Sequence, residues 1–164
     1  MKIIEYEDKY LEDVRNLLLE LEEYIVSIDK DNLDIVHPDY REKMAIKDLK
    51  EVKENNGKCY LALEENKVVE LIMGCIFPYD EYDYLDYKCP SRGEITELIV
   101  SKKVRSKGIG QALINTLEEY FKKCGCKYVI VDVFAYNDNG IKFYSKSCYH
   151  SRMHTMIKEI KWLN

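Results

Sequence analysis

Some forty residues past the middle of the chain change character in an order that few folds accommodate. From Ile95 to Val100 the sequence is apolar apart from Thr96 and Glu97. A basic loop follows, Ser101 to Lys107, and then Gly108 and Gly110 open a strongly periodic segment. There Ile109, Ala112, Leu113, Thr116, Leu117, Tyr120 and Phe121 fall at i, i+3, i+4, i+7, i+8, i+11 and i+12, one face of a helix that Gly125 ends. Lys127 to Phe134 is apolar again except for Asp132, the pattern of a strand buried on both faces in parallel pairing. Strand, helix and strand in so short a span predict a right-handed βαβ unit. Its first turn is a ready anion site, because free backbone N–H groups and the positive end of the helix dipole point the same way.

The flanking segments predict the rest of the fold. Lys2 to Tyr6 reads as a short strand. Asp8 can cap a helix with apolar positions at Leu11, Val14, Leu18, Leu21 and Ile25, and Ser27 to His37 has no period. Pro38 opens a second helix, about Asp39 to Lys53, which Asn55-Asn56-Gly57 terminates. Lys58–Leu63 and Lys67–Phe77 form a hairpin, with Gly74 marking a bulge or a close approach. A loop spans Pro78 to Gly93. After the βαβ unit come a short helix, about Asn137 to Ser147, and one or two last strands within Tyr149–Trp162. The order β-α-α-β-β-β-α-β-α-β predicts one α/β (α+β) domain over residues 1–164. Its mixed, mostly antiparallel sheet has six to seven strands flanked by about four helices.

No apolar run approaches the ~20 residues that span a bilayer, and the N-terminus turns acidic at once, so a cytoplasmic protein with no membrane partner is expected. The six cysteines lack metal-ligand or secreted-domain spacing and read as reduced thiols, with no metal. Charge is divided unevenly. Residues 1–100 hold 13 Lys/Arg against 25 Asp/Glu, whereas residues 101–164 hold 12 against 5. Anionic ligands belong with the second part and cationic ones with the first.

Gly108-Ile-Gly110 is neither a Walker loop, since Lys107 precedes the glycine, nor a dinucleotide fingerprint, since Leu113 takes the third glycine position. Arg105-Ser-Lys-Gly108-Ile-Gly110 instead resembles the Arg/Gln-x-x-Gly-x-Gly/Ala motif of the GNAT superfamily of acetyl-CoA-dependent N-acyltransferases. About thirty residues on, Asn137-Asp-Asn-Gly140-Ile-Lys-Phe143-Tyr144-Ser-Lys146 is similar to that family's downstream Asn-x-x-Ala-x-x-Phe-Tyr-x-Lys-x-Gly-Phe signature. Two positions depart from it. Gly140 stands where Ala is usual, a sterically harmless exchange that weakens the helix by up to ~1 kcal/mol. Cys148-Tyr149 replaces Gly-Phe, so the expected left-handed glycine is absent from the turn.

The resemblance implies acetyl-CoA as co-substrate and a GNAT-like fold. Leu98, Ile99 and Val100 would pair with the pantetheine arm like an added strand. Arg105, Ser106, Lys107, Gly108, Ile109 and Gly110 would hold the pyrophosphate, and Asn137 would hydrogen-bond the cofactor arm. Tyr144, also beside the cofactor, would be the general acid for the departing thiolate. Attack requires a neutral amine. With a pKa of ~10.4 only about one amine in 2,500 is neutral at pH 7, a deficit of ~4.6 kcal/mol that a carboxylate base would relieve. Glu97 is the first candidate and Glu94 the second. Strict alternation puts them on opposite faces of the strand, and a bulge would change that.

No cysteine pairs with a histidine at readable spacing, so direct attack in a ternary complex is expected rather than a covalent relay. The acceptor is expected to be a primary amine of a small molecule or peptide. Cationic character is suggested by the acid-aromatic stretch Tyr79–Tyr87 and the aspartates at 29–34. The other readings of that loop are a solvated surface or a homodimer contact. A non-catalytic CoA-binding sensor or interaction module is the rival function. A nucleic-acid-binding module, prompted by the basic C-terminal part, is the weaker rival, and no nucleic-acid partner is expected, since the aromatics form no RNA-binding motif.

Overall fold

The computed structural model describes residues 1–100 and 108–160. Its strands are β1 (Lys2–Glu5), β2 (Lys58–Glu64), β3 (Lys67–Cys75), β4 (Arg92–Val100) and β5 (Tyr128–Val131). Its helices are α1 (Leu11–Ile28), α2 (Tyr40–Glu54), the single turn α3 (Asp83–Asp86), α4 (Ile109–Lys123) and α5 (Asp138–Lys146). A 3-10 turn at Asp8–Tyr10 leads into α1, and no side chain caps either of these two starts. The sheet runs β1-β2-β3-β4-β5, antiparallel throughout except for the parallel pair β4–β5. The fold is thus the mixed, mostly antiparallel α/β arrangement expected. The count differs: five strands and five helices among the described residues. Residues 149–160 form no strand, because the chain beyond α5 does not return to the sheet.

Cross-strand partners share a face, so the pairings sort the side chains into two layers. Leu61 opposite Leu71 and Cys59 opposite Met73 lie on the side covered by α1 and α2, with Val14, Leu17, Leu18, Ala45 and Val52. On the other side, Ile72, Ile95 and Ala62 meet Ile109, Leu113, Leu117 and Phe121 of α4. This helix sits close to the sheet. A Cβ at Gly74 would fall 2.8 Å from the Phe121 ring, and one at Gly93 would fall 2.3 Å from it, so these two glycines form the slot that seats the ring. Gly74 also lies at a register shift against β4, which makes it both the bulge and the close approach expected.

β5 departs from its sequence reading. It pairs in parallel with β4, but it is the last strand of the sheet, with Tyr128 exposed and Val129, Ile130 and Val131 half-buried. The parallel pairing expected of this run is present, but burial on both faces is not, and its outer edge has no neighbour among the described residues.

The end of α5 keeps its left-handed turn without a glycine. Cys148 has φ 67°, its N–H donates to the Ser145 carbonyl (3.2 Å), and the Tyr149 N–H donates to the Tyr144 carbonyl (3.0 Å). This is the hydrogen-bond pattern of a Schellman turn. A residue with a Cβ is strained there by about 1–2 kcal/mol. Cys148→Gly is therefore expected to raise stability by about 1 kcal/mol, a gain of a few degrees in thermal unfolding. An unchanged or lowered Tm would show that the strain is absorbed elsewhere.

Candidate active site

β4 and β5 are hydrogen-bonded neighbours only from Arg92 to Ile95, opposite Tyr128 to Val131. From Glu97 onward β4 keeps its β3 partner but has none on the other side among the described residues, so one set of backbone donors and acceptors faces a cleft of about 770 Å³. Leu98 and Ile99 line one wall, Val133 and Phe134 the other, and Tyr144 of α5 closes across it. Gly108, Ile109 and Gly110 form one end. Gly108 has φ 76° and precedes the first turn of α4, which no side chain caps, leaving N–H groups available to an anion. The extended backbone edge and this helix start suit an elongated ligand with a phosphate end. Arg105, Ser106 and Lys107 lie outside the described residues, as does the side chain of Val100.

The two candidate glutamates share one face, not opposite faces. Glu94 is opposite Cys75 and Glu97 opposite Met73, both on the α1/α2 side, while Ile95 and Leu98 face α4. The register shift between Met73 and Gly74 leaves Thr96 unpaired as the extra residue of a bulge, which restores Glu97 to the Glu94 face. Only Glu97 lines the cleft; Glu94 sits where β4 is paired on both sides. The Glu97 carboxyl is pushed up to about 8, chiefly by burial and then by the nearby Asp48 charge, with Lys47 opposing. Glu94 is also raised, by burial and by Asp132.

Tyr144 stands across from Glu97, and its phenol is held well above its ordinary value by burial first and by the Glu97 charge second. It therefore keeps its proton. Its hydroxyl has no hydrogen-bond partner among the described residues. Its ring is fixed between Phe143 (centroids 5.4 Å) and Tyr149 (5.5 Å), and Tyr149 is tied by its hydroxyl to Glu118 Oε1 at 2.7 Å. The Schellman turn therefore does more than end a helix, since it carries the anchor that sets the Tyr144 ring.

Asn137 lines the cleft, but its side-chain oxygen is occupied. Oδ1 accepts from the Gly140 N–H (2.9 Å), capping α5, and from the Tyr24 hydroxyl of α1 (3.2 Å). Gly140 is not an arbitrary exchange for alanine. A Cβ there would lie 2.6 Å from Asn137 Nδ2, so the smaller residue makes room for the cap.

Several acidic groups that were singled out in the sequence serve the loops instead. Asp29 accepts from the N–H groups of Asp31, Leu33 and Asp34, and Asp80 accepts from those of Tyr82 and Asp83. None of residues 79–87 lines the cleft. The carboxylates near Glu97 come from helices whose periodicity concealed them. Asp48 of α2 is 5 % exposed, with Oδ1 on Lys47 Nζ (3.2 Å) and Oδ2 without a partner. Glu22 of α1 is raised by burial, and the Tyr40 phenol, beside Glu22 and Glu97, is pushed above its ordinary value by burial and by both charges. On the α4 side Glu70 is 1 % exposed, and its Oε2 has no partner among the described residues. Burial and the Glu64 charge raise it to about 7. A charged residue at an apolar position of a strand pattern is the signal that could have found it.

Both Glu70 and Glu97 titrate above the 4.5 of a free glutamate. As pH rises the unfolded chain ionises first, so stability that is full below about pH 4.5 is lost through about pH 7 for Glu70 and about pH 8 for Glu97. Urea midpoints measured from pH 5 to 9 are expected to fall for the parent and to fall less for Glu70→Gln or Glu97→Gln. The same slope in all three would refute the burial of these carboxyls.

Comparison with known proteins is consistent with this geometry. An uncharacterized N-acetyltransferase of Methanocaldococcus jannaschii is 33% identical over 94 residues, a match covering 57% of this chain and 53% of that protein, so about half of the relative's length is spanned. A crystal structure of a mutant BH1408 protein from Bacillus halodurans superposes with TM-score 0.84 at 18% identity, over 98% of this chain and 100% of that one. The aminoglycoside N-acetyltransferase AAC(6')-Iy, solved in complex with CoA, gives TM-score 0.68 at 12% identity over 98% of this chain and all of that one. The model of the acetyltransferase (GNAT) family matches residues 12–148, and the chain belongs to that family.

Proposed function

We propose that this protein transfers an acetyl group from acetyl-CoA to a primary amine of a small molecule or peptide, by direct attack while both substrates are bound. The observation that carries the proposal is the placement of Glu97 and Tyr144 at one cleft, beside the unpaired edge of β4. Acetyl-CoA supplies the activated acyl thioester. Leu98 to Val100 offer the backbone edge to its pantetheine arm, and the start of α4 at Gly108–Gly110, with the preceding Arg105–Lys107, takes the pyrophosphate. Asn137 orders the start of α5 beside the arm and keeps its amide nitrogen for the ligand.

Glu97 accepts the proton of the incoming ammonium group. Burial brings its pKa into the working range of a base, where an ordinary glutamate would be far too weak. Tyr144, protonated at every relevant pH, donates its hydroxyl hydrogen bond to the sulfur as negative charge develops there. Glu94, on the same face but outside the cleft, takes no direct part. The acceptor is cationic, since Glu20, Glu70 and Glu97 line the cleft and the charge of the buried Asp48 lies near Glu97. The name of the aminoglycoside N-acetyltransferase neighbour points to acceptors of the same charge.

Release of free CoA thiol with a panel of amines tests the activity; a chain that merely binds CoA would not exceed the aminolysis background. With an acceptor amine of pKa above 10, kcat/KM is expected to rise with pH through about 8, the Glu97 ionisation. Glu97→Gln should remove that limb and lower kcat/KM by roughly 10²–10⁴-fold. Tyr144→Phe should lower kcat by roughly 10–100-fold, the loss of one hydrogen bond to developing charge, with KM little changed. Full activity in Tyr144→Phe, or an unaltered pH profile in Glu97→Gln, would reject the assigned roles.

A further inference from the structure

Glu70 lines the cleft but takes no step in the reaction just described. It occupies an apolar position of β3, opposite Ala62 of β2 and Val100 of β4, and is 1 % exposed. Its Oε2 has no hydrogen-bond partner among the described residues, so the cost of burying that atom is not offset there. Gly108, Ile109 and Gly110 share the same cleft. Ala62 and Ile72, beside Glu70 on its own face of the sheet, pack against Ile109 and Leu113, which sets the carboxyl next to the first turn of α4. It does not cap that helix, whose start takes no side-chain hydrogen bond.

Its place along the sheet separates it from the acetyl transfer. Glu97 is opposite Met73 and Val100 is opposite Glu70, so the two carboxyls stand about 10 Å apart along the strands, on opposite faces. With the donor absent Glu70 adds to the acidity of the cleft. The helix start beside it, however, selects an anion. An ionised carboxylate accepts hydrogen bonds only and would repel that anion, whereas a neutral carboxylic acid has an O–H to give it. Burial, and then the Glu64 charge of β2, raises Glu70 to about 7, so both forms are populated near neutrality. On the same face β2 also presents Tyr60, and α4 has no titratable residue before Glu118. Across the cleft α5 carries Lys142, Tyr144 and Lys146, α1 carries Glu20 and Tyr24, and Asp132 follows β5. Lys102, Lys103, Arg105 and Lys107 lie outside the described residues.

We propose that Glu70 is a donor-binding residue that meets the co-substrate as a neutral acid: it gives its hydrogen bond to a phosphate oxygen of CoA, and binding CoA takes up a proton from solvent. This rests on the reading of the cleft as the acetyl-CoA site. The orphaned oxygen then finds its partner when the cleft is filled. The two carboxyls have opposite requirements, since Glu97 must be ionised to accept a proton and Glu70 must hold one to bind the donor. Lower pH favours donor binding, and higher pH favours attack and release of CoA.

Calorimetric titration of CoA into the full chain at pH 7, in phosphate-free buffers of different ionisation enthalpy, counts the protons taken up. The parent is expected to take up about half a proton more than Glu70→Gln, since a carboxyl with its midpoint at about 7 is half-ionised there. The ionisations of CoA itself and of Glu97 are common to both chains and cancel in the difference. Between pH 7 and 8.5 the parent's Kd for CoA should rise relative to that of Glu70→Gln by roughly tenfold. Glu70→Ala, which keeps no donor, should share the pH dependence of Glu70→Gln and bind roughly 3–10-fold more weakly than it. Equal proton uptake by the parent and Glu70→Gln, parallel Kd profiles, or a Glu70→Ala chain that binds as tightly as Glu70→Gln would each overturn the role of Glu70 and leave the acetyl-CoA reading standing. Failure of every chain to bind CoA would overturn both.

Discussion

The site depends on the point at which two parallel strands stop pairing. β4 and β5 are held together over four residue pairs and then separate, while β4 continues as the partner of β3. A strand with one satisfied edge and one open edge is costly to leave in a protein interior, because each unpaired buried amide forfeits its hydrogen bond to water. It persists at the surface of a cleft because water or a ligand can complete it. The binding surface is therefore not added to the fold. It is the part of the sheet that the fold leaves unfinished, and α4, seated by Phe121 in the Gly74/Gly93 slot, brings its N-terminus to the end of that edge.

The bulge at Thr96 is the second determinant. Without it Glu97 would face α4, among Leu98 and Ile95, and away from Asp48 and Glu22. With it, one extra residue turns the carboxylate to the α1/α2 side while leaving the hydrogen-bonding edge of β4 intact. The open edge of β4 and the Glu97 carboxyl thus meet at one cleft. Tyr144 reaches the gap from α5, fixed by the turn that follows that helix. Local backbone irregularities, one bulge and one left-handed cysteine, aim the side chains that the regular elements carry.

Much of this was legible from residues alone. The periodicity of α1, α2 and α4, the hairpin β2–β3, and the strand feeding a glycine-rich helix start needed only apolar spacing and the punctuation of Gly, Asn and Pro. The two motifs at Arg105–Gly110 and Asn137–Lys146 pointed to one side of the site. Three things were not legible, each for a physical reason. A bulge is a property of two strands in register, so the shared face of Glu94 and Glu97 had no signature in β4 by itself. Asp48 and Glu22 occupy helical positions where a carboxylate is ordinary, and only packing turns them toward β4. The last strands were expected from the apolar residues of Tyr149–Trp162, but an apolar pattern does not fix whether a segment finds a sheet edge, and residues 149–160 form no strand. The acidic stretch at 79–87 misled because loop aspartates often serve their own backbone, as Asp80 does here.

In the proposed reaction, acidity around a cationic acceptor would have two opposed effects. Negative charge draws an ammonium group in, but it also strengthens that group's hold on its proton, which must leave before attack. Against an amine of pKa ~10.4, an ordinary glutamate would take the proton at a cost of ~8 kcal/mol, whereas a base at about 8 needs ~3 kcal/mol. Burial of Glu97 thus removes more than half of the penalty. It also raises the pKa of Asp48 and of Glu22. The same desolvation that weakens the amine's hydration lowers the amine's own pKa, which narrows the gap from the other side. A fully solvated acidic patch would bind the cation and keep it protonated. A half-buried one can bind it and still accept its proton.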